Sequence, residues 1–253
     1  VVCTVDKQPC FLDKHLDRLF ASAKAISLVV PRDKEWFREQ LEITLGAANN
    51  DESYVRIIVT RGVGEINIDP STCQSPNIII IVMEIKEYPE SCYEKGIHVA
   101  LVSIKRNASD ALNPNVKTGN YLNNVLAKVE ANKLGAQDAI MVNALGHLTE
   151  GTTSNLFFVR EGHILTPSLD CGILSGITRE MVIQLARENG FHIEEGKWAG
   201  EELCEANEIF LTGTIKKVMP VSHLDARPVG SGKPGPVTLK LMRLYEDLIG
   251  RKL

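Results

Sequence analysis

The order and spacing of apolar residues predict an α+β fold. Helix-spaced apolar positions and short β-branched runs follow one another along the 253 residues, without the strict alternation of strands and helices that builds a parallel α/β sheet. Glycine turns separate several of the short runs, as is typical of short strands. Hydrophobic residues make up 44% of the chain, which is enough for one large domain or two modest ones.

The N-terminal third predicts a small domain of helices and strands over residues 1–87. Residues 1–5 resemble the middle of a strand, so we expect further polypeptide before the given sequence. Amphipathic helices are predicted at residues 12–28 and at about 34–45. The β-branched run 54–60 predicts a strand, and the nearly continuous apolar run 76–84 predicts a second, fully buried strand.

The remainder predicts a larger domain over residues 96–253, which follows a linker at 88–95. Proline, glutamate and serine concentrate in this linker segment, and Gly96 follows it directly. The glycine after residue 134 is a suitable helix terminator. Strands are predicted at 97–104, 139–143, 155–160, 163–166, 192–195 and 208–212, and helices at 120–134, 178–189, 199–206 and 237–248.

Composition and charge exclude several classes of function. The formal net charge is −4 and the basic residues are dispersed, which argues against nucleic acid or an anionic membrane as a partner. The longest apolar stretch, near residues 78–83, is too short to cross a membrane. Six cysteines without a CxxC pair predict reduced thiols and a cytoplasmic protein. The six histidines have no metal-ligand spacing, so no metal site is expected.

Three segments contain groups that a protein core does not require. Residues 113–122 read Asn-Pro-Asn-Val-Lys-Thr-Gly-Asn-Tyr-Leu, with Lys117 just before a predicted helix. Residues 147–156 place Glu150 at a predicted turn between two short strands. Residues 172–179 form a loop of small residues that enters a helix. Each segment alone has an ordinary interpretation: a solvated lysine, a turn carboxylate and a helix cap.

Taken together, the segments resemble the fold-type IV enzymes that depend on pyridoxal 5′-phosphate (PLP). The family element Lys-x-x-Asn-(Tyr/Leu)-Leu matches residues 117–122, and the element Glu-Gly-x-x-x-Asn-(Leu/Val)-Phe matches residues 150–157. Further matches in the family's order lie at 15–19, 176–179, 212–214 and 220–221. The resemblance covers nearly the whole chain. It includes branched-chain aminotransferases, D-amino-acid aminotransferases and aminodeoxychorismate lyases, and it is closest to the branched-chain group.

This resemblance implies a two-domain enzyme and a role for its central residues. A small N-terminal α/β domain and a larger C-terminal pseudo-barrel domain would hold PLP between them, in a homodimer. Lys117 would form the Schiff base with PLP and then move the proton between the substrate Cα and the cofactor. Glu150 would keep the cofactor ring nitrogen protonated, which the electron-sink chemistry of PLP requires.

The remaining cofactor contacts are also implied by the resemblance. The phosphate would meet the Arg18 guanidinium and the backbone N–H groups of Ile177 and Thr178, since a helix start favours anions. Thr214 would add a hydroxyl or amide near the phosphate or the substrate carboxylate. Tyr121 would hydrogen-bond the phenolic oxygen of the cofactor.

The resemblance further implies transfer of an amino group from an aliphatic, branched-chain amino acid to 2-oxoglutarate. Candidate substrate contacts are Arg61, Thr214 and Ile215. D-specific enzymes carry an Arg-x-His pair after the strand end that matches residues 60–62, and this chain lacks the pair. Many branched-chain enzymes place an acidic residue where Ser154 stands. A D-amino-acid aminotransferase, an aminodeoxychorismate lyase and a catalytically silent PLP-binding relative therefore stay as alternatives.

The exact donor, its stereochemistry and the roles of two lysines and one arginine stay open at this stage. Lys216 and Lys217 stand where small or acidic residues are common in the family. Either both lysines face solvent, or one of them attracts a substrate carboxylate. Arg61 is either a structural ion-pair partner or a residue directed toward the substrate entrance.

Overall fold

The computed structural model describes residues 1–250, and these divide into two compact units. The first unit is Val1–Lys86, and the second begins at Glu87. Each unit has its own sheet. Helices and strands are mixed along the chain, so the α+β class predicted from the sequence is confirmed.

The first unit is a four-stranded antiparallel sheet with two helices. The strand order is β2-β1-β3-β4. Val2, Leu41 and Val55 form its buried cluster, because the apolar face of the second helix packs toward the sheet. Its elements are β1 (Val2–Val5), β2 (Gln8–Pro9), α1 (Leu12–Ala25), α2 (Lys34–Ala48), β3 (Ser53–Thr60) and β4 (Asn77–Glu84).

Strand β4 differs from its sequence-based prediction. It lies at the edge of the sheet and pairs only with β3 among the described strands. Ile79 and Met83 are 44% and 51% exposed, so the strand is not fully buried. An apolar run predicts a strand but does not distinguish a central strand from an edge strand, because it carries no information on which strands flank it.

The second unit contains nine strands in one sheet. The order is β10-β9-β8-β11-β12-β5-β6-β7, with β13 paired to β12, and a further β7–β8 pairing closes part of the sheet on itself. The predicted pseudo-barrel is therefore confirmed. Its elements are α3 (Glu90–Lys95), β5 (Ile97–Leu101), α4 (Leu122–Lys133), β6 (Asp138–Val142), β7 (Leu148–Gly151), β8 (Asn155–Arg160), β9 (His163–Pro167), α5 (Ile177–Glu188), β10 (Ile193–Gly196), β11 (Glu208–Gly213), β12 (Lys217–Leu224), β13 (Arg227–Pro228) and α6 (Pro236–Gly250).

Alternation along the central strands gives the barrel two packed faces. Phe158 and Leu211 point into the main apolar cluster together with residues of β5, β6 and β12. Phe157 and Phe210 point the other way and stack with their ring centroids 4.9 Å apart. Strands β8 and β11 are therefore buried on both faces, which explains their nearly continuous apolar sequence.

Three segments of this unit differ from the sequence-based expectation. The segment 88–95, expected as a linker, contains helix α3, because Cys92 and Tyr93 pack against the barrel core. Residues 199–206 contain a 3-10 helix, Gly200–Glu205, where an α-helix was expected. Strand β12 was not predicted, since Pro220 lies within it and proline disfavours a strand interior.

No helix within residues 1–250 is long and apolar enough to span a membrane.

Replacement of Leu211 by alanine should destabilise the protein strongly. Leu211 is fully buried in the barrel core, so the deletion leaves a cavity and should cost about 2–5 kcal/mol of unfolding free energy. The matched control is Leu145→Ala, because Leu145 is 79% exposed and should change that free energy by less than about 0.5 kcal/mol. Urea unfolding of the two variants checks this, and equal effects would contradict the packing described.

Candidate active site

The Glu150 carboxylate is buried and interacts with three other residues. It lies in strand β7 and is 6% exposed. Its Oε1 pairs with Arg106 Nη2 at 2.9 Å. Its Oε2 accepts hydrogen bonds from the Leu174 N–H at 3.0 Å and from Asn155 Nδ2 at 3.4 Å. The sequence placed Glu150 at a turn, but it lies within the strand because the turn falls at residues 152–154.

Arg106 was not identified from the sequence. It lies between β5 and α4 in a segment without regular secondary structure, eleven residues before Lys117. Its backbone N–H donates to the Val142 carbonyl and its Nη1 to Asn123 Oδ1, so both chain and side chain are fixed. The only signal in the sequence was a basic residue after a buried strand, which by itself indicates no role.

The pKa of Glu150 is raised from its ordinary value. Burial is the largest cause, since it disfavours the charged form, while the positive charges of Arg106 and Lys117 and the Leu174 N–H oppose the rise. An additional cation beside this carboxylate would oppose the rise further. The site is therefore suited to a protonated nitrogen.

Lys117 lies near this carboxylate and beside Tyr121. Lys117 Nζ is 3.4 Å from the Tyr121 hydroxyl oxygen and is close enough to Glu150 to oppose the rise in its pKa. Tyr121 is the residue that precedes helix α4. Lys117, in the irregular segment before α4, and Tyr121, at the N-cap of that helix, therefore lie side by side.

Asparagine side chains connect the three segments singled out in the sequence. Asn115 Oδ1 accepts from the Ser175 N–H at 2.9 Å, which joins the lysine segment to the loop before α5. Asn155 Nδ2 donates to the Leu174 carbonyl at 2.8 Å, which joins strand β8 to the same loop. Asn124 Nδ2 donates to the Thr152 carbonyl at 2.7 Å. The segments lie far apart in sequence, and the fold brings them together.

The start of helix α5 is open to an anion. Gly176 precedes the helix, and no side chain within residues 1–250 caps it, so its first-turn amides, including those of Ile177 and Thr178, lack a side-chain acceptor. A Cβ on Gly176 would lie 2.0 Å from Asn155 Oδ1. Glycine at this position therefore allows the loop to approach the Asn155 side chain of strand β8 this closely.

Thr214 and Ile215 lie in a tight turn between β11 and β12. This turn packs beside the turn at 152–154, since a Cβ on Gly213 would lie 3.3 Å from the Thr153 carbonyl oxygen. Thr214 is therefore only a few residues from the strand end that carries Glu150, although 64 positions separate them in sequence.

The interpretation of Lys216 as a solvent-facing lysine was wrong, because its side chain is buried. Attraction of a substrate carboxylate by one of the two lysines stays a prediction. Lys216 Nζ pairs with Asp138 Oδ2 at 2.5 Å, and the two side chains are 7% and 2% exposed. Lys217 is different, because it is partly exposed and lies 3.5 Å from Glu87.

Arg18 and Arg61 belong to the first unit. Arg18 lies on α1, with its Nη2 3.5 Å from His15 Nδ1. Arg61 Nη1 and Nη2 donate to the carbonyls of Ser27 and Ile26 at the end of α1. These contacts are with backbone carbonyls, which supports a structural role for Arg61. The phosphate role of Arg18 and the substrate role of Arg61 stay predictions.

The chemistry of the second unit fits one kind of ligand. A buried carboxylate suits a protonated ring nitrogen, the lysine amine suits an aldehyde, and the uncapped start of α5 suits a phosphate. No group of three or more His, Cys, Asp or Glu residues suitable for a metal ion occurs among residues 1–250.

Comparison with known proteins agrees with this chemistry. Residues 1–224 match the family model described as amino-transferase class IV. A Methanocaldococcus jannaschii protein, named provisionally as a branched-chain-amino-acid aminotransferase, is 39% identical over 94% of this chain and 81% of its own length. A D-alanine aminotransferase of Listeria monocytogenes is 32% identical over 94% of this chain and 82% of its own.

A solved structure gives the same result for the fold. The T.th. branched-chain amino acid aminotransferase, solved with pyridoxamine 5′-phosphate, aligns with a TM-score of 0.93 at 31% identity, over 99% of this chain and 84% of that one. The chain belongs to the class IV aminotransferases. It is an aminotransferase with PLP as its cofactor.

Replacement of Arg106 by methionine should weaken cofactor binding. Removing one partner of a buried ion pair leaves Glu150 without its nearest cation, which favours the neutral carboxyl form and removes the negative charge that a ring nitrogen needs. We expect the dissociation constant for PLP to rise by roughly tenfold or more, since one unit of pKa corresponds to a tenfold change in equilibrium.

An absorbance titration of the apoenzyme with PLP measures this effect. Arg106→Lys is the matched variant, because it keeps a positive charge near Glu150 and should lose less affinity. Equal dissociation constants for wild type and Arg106→Met would contradict the role of the pair.

Proposed function

We propose that this chain transfers the amino group of an aliphatic, branched-chain L-amino acid to 2-oxoglutarate, with Lys117 as the catalytic residue. The single observation that carries the proposal is the convergence of Lys117, the buried Glu150 and the open start of α5 in the second unit. The names of the archaeal relative and of the T.th. enzyme support the substrate class.

Glu150 would control the protonation of the cofactor ring nitrogen. When bound, PLP stabilises negative charge that develops at the substrate Cα, provided that its ring nitrogen is protonated. Glu150 would hold that proton at the ring nitrogen through Oε2 or Oε1. The buried ion pair with Arg106 and the Leu174 N–H orient the carboxylate, so little reorganisation is needed during the reaction.

Lys117 would hold the cofactor through its amine and then move a proton. Its Nζ can leave the Tyr121 hydroxyl, 3.4 Å away, and act as the base that takes the proton from Cα. Tyr121 would donate its own hydroxyl hydrogen to the phenolic oxygen of the cofactor. Lys117 lies four positions before Tyr121, which is the N-cap of α4.

The phosphate would be held at the start of α5 by the amides of Ile177 and Thr178. Helix geometry leaves these N–H groups without intrahelical partners, and the helix dipole favours an anion there. We assign the hydroxyl or amide of Thr214 to the phosphate or to the substrate carboxylate, and the Arg18 guanidinium to the phosphate. Thr214, Ile215 and Arg61 are the candidate substrate contacts.

A D-amino-acid donor is the second candidate. The similarity to the Listeria D-alanine aminotransferase favours it. Against it, residues 60–67 read Thr-Arg-Gly-Val-Gly-Glu-Ile-Asn and lack the Arg-x-His pair expected of D-specific enzymes. We therefore assign the L configuration to the donor. An L-amino-acid donor and a D-amino-acid donor would react at the same lysine and carboxylate, so these residues do not distinguish them. The assays below, which use both kinds of donor, do.

Replacement of Lys117 by alanine should abolish turnover and leave the fold intact. The covalent attachment and the proton transfer are both lost, so we expect a decrease in kcat of about 10⁴-fold or more. Coupled assays with L-leucine, L-valine and D-alanine as donors and 2-oxoglutarate as acceptor measure it. Lys133→Ala is the matched control, since Lys133 lies at the end of α4 and should keep full activity.

Each outcome of these assays decides between the hypotheses. Wild-type turnover with L-leucine and L-valine supports the branched-chain assignment, and turnover with D-alanine alone moves the assignment to D-amino acids. Wild-type protein without transamination of any donor would favour a lyase or a silent relative. Full activity in Lys117→Ala would contradict the mechanism.

We further propose that the chain forms a homodimer and resides in the cytoplasm. Helix α4 exposes four apolar side chains on one face at i, i+3, i+4 and i+7 spacing, and the second copy is the occupant that the family resemblance implies. The exposed side chains are Leu122, Val125, Leu126 and Val129, at 45% to 67% exposure. The scattered cysteines, without a CxxC pair, support a reducing compartment.

Val125→Asp should shift the protein toward the monomer. A charge placed in an apolar contact is left without a partner, which disfavours association. Sedimentation analysis should give twice the chain mass for wild type and for the control Asn132→Asp, which adds the same side chain to an exposed polar position of α4. A wild-type protein that sediments as a monomer at micromolar concentration would contradict the proposed dimer.

A further inference from the structure

The second unit contains a buried ion pair that the proposed mechanism does not use. Lys216 Nζ lies 2.5 Å from Asp138 Oδ2. Both side chains are buried. Hydrogen bonds occupy the other N–H groups of the Lys216 ammonium and the other oxygen of the Asp138 carboxylate. Lys216 Nζ also donates to Thr153 Oγ1 and Ser154 Oγ, each at 3.3 Å.

Asp138 extends this contact to Thr152, in the turn that follows the strand of Glu150. Its Oδ1 accepts from the Thr152 hydroxyl at 2.5 Å and from the Thr152 and Ala139 N–H groups at 3.3 Å and 2.8 Å. Burial opposes the ionised form, but Lys216 and these donors outweigh it, so the pKa of Asp138 is lowered. Asp138 is therefore ionised at neutral pH.

The pair adds a side-chain link between two turns that lie at the ends of the paired strands β8 and β11. Residues 214–216 form the turn after β11, and residues 152–154 form the turn between β7 and β8. Lys216 extends inward from the first turn and bonds to the second and to the start of β6. A Cβ on Gly213 would lie 3.3 Å from the Thr153 carbonyl oxygen, so the two turns are in close contact.

Stability alone does not explain the pair. The desolvation of two charges offsets most of their attraction, and apolar replacements of buried pairs are often neutral or stabilising. The pair is better explained by a more precisely defined position of the segments that it connects. The geometry that this pair defines is the position of Thr214 and Ile215 relative to the strand end after Glu150.

We propose that Asp138 and Lys216 are positioning residues that hold the Thr214–Ile215 turn at the substrate-binding side of the active site. Neither residue touches the substrate or the cofactor. Both act through the turn, in which Thr214 or Ile215 would contact the substrate. This inference rests on the proposed function, since it requires that Thr214 or Ile215 contacts the substrate.

The test separates positioning from stability with a double variant. Lys216→Met alone leaves the Asp138 charge buried without a cation and should destabilise the fold. The double variant Asp138→Asn with Lys216→Met removes both charges with side chains of similar shape, so much of that stability should return. Lys133→Met is the matched control, because Lys133 is an exposed lysine at the end of α4.

Three quantities are measured on the holoenzyme variants. The first is the unfolding midpoint, and the second is the dissociation constant of isovalerate, an unreactive carboxylate probe. The third is the pair of constants KM and kcat for the amino donor. We expect the double variant to unfold near the wild-type midpoint, to bind isovalerate about tenfold more weakly and to raise KM about tenfold, with kcat changed far less.

Wild-type isovalerate affinity and KM in a stable double variant would overturn the inference, because the pair would then contribute only to folding. If the double variant does not fold, Ser154→Ala decides. It removes one hydroxyl from the contact and should raise KM by a smaller factor, and an unchanged KM would overturn the inference. An inactive wild-type enzyme would instead contradict the proposed function, which distinguishes the two failures.

Discussion

The burial of the Glu150 carboxylate is the constraint on which the rest of the active site depends. A carboxylate with so little exposure needs compensating donors, and it obtains them from Arg106, from the Leu174 N–H and from Asn155. These donors come from three separate segments of the second unit. To satisfy one charge, the fold must therefore bring together the segment before α4, the loop before α5 and strand β8, and these are the segments that carry the functional groups.

Close backbone approach makes this assembly possible. Gly176 lets the loop before α5 reach the Asn155 side chain, and Gly213 lets the turn after β11 approach the turn at 152–154. The Asp138–Lys216 pair then fixes the second of these approaches. The site combines strands, which supply Glu150 and Asn155, with the segment before α4, which supplies Lys117 and Tyr121, and the uncapped start of α5. Preorganisation of this kind is what an electron-sink cofactor requires of its protein.

The sequence predicted the helices and strands better than the contacts around them. Lys117 and Glu150 were proposed as site residues because each lies in a motif with fixed local spacing. Arg106 was not, because its partner lies 44 positions away and only the fold sets that contact. Strand β4 was predicted as buried because an apolar run does not reveal its neighbours. Lys216 was expected at the surface because a lysine is seldom buried unless it is paired, and its partner Asp138 could not be inferred from sequence.

The most direct test of the central claim compares wild type with Glu150→Gln by rapid mixing of each holoenzyme with L-leucine. The loss of the visible cofactor absorbance band reports the first half-reaction. We predict that Glu150→Gln still binds PLP but that its band decays about 10²- to 10³-fold more slowly, because a neutral amide does not hold the ring nitrogen protonated. Equal decay rates in the two proteins would contradict the account, since the buried carboxylate would then have no part in the chemistry.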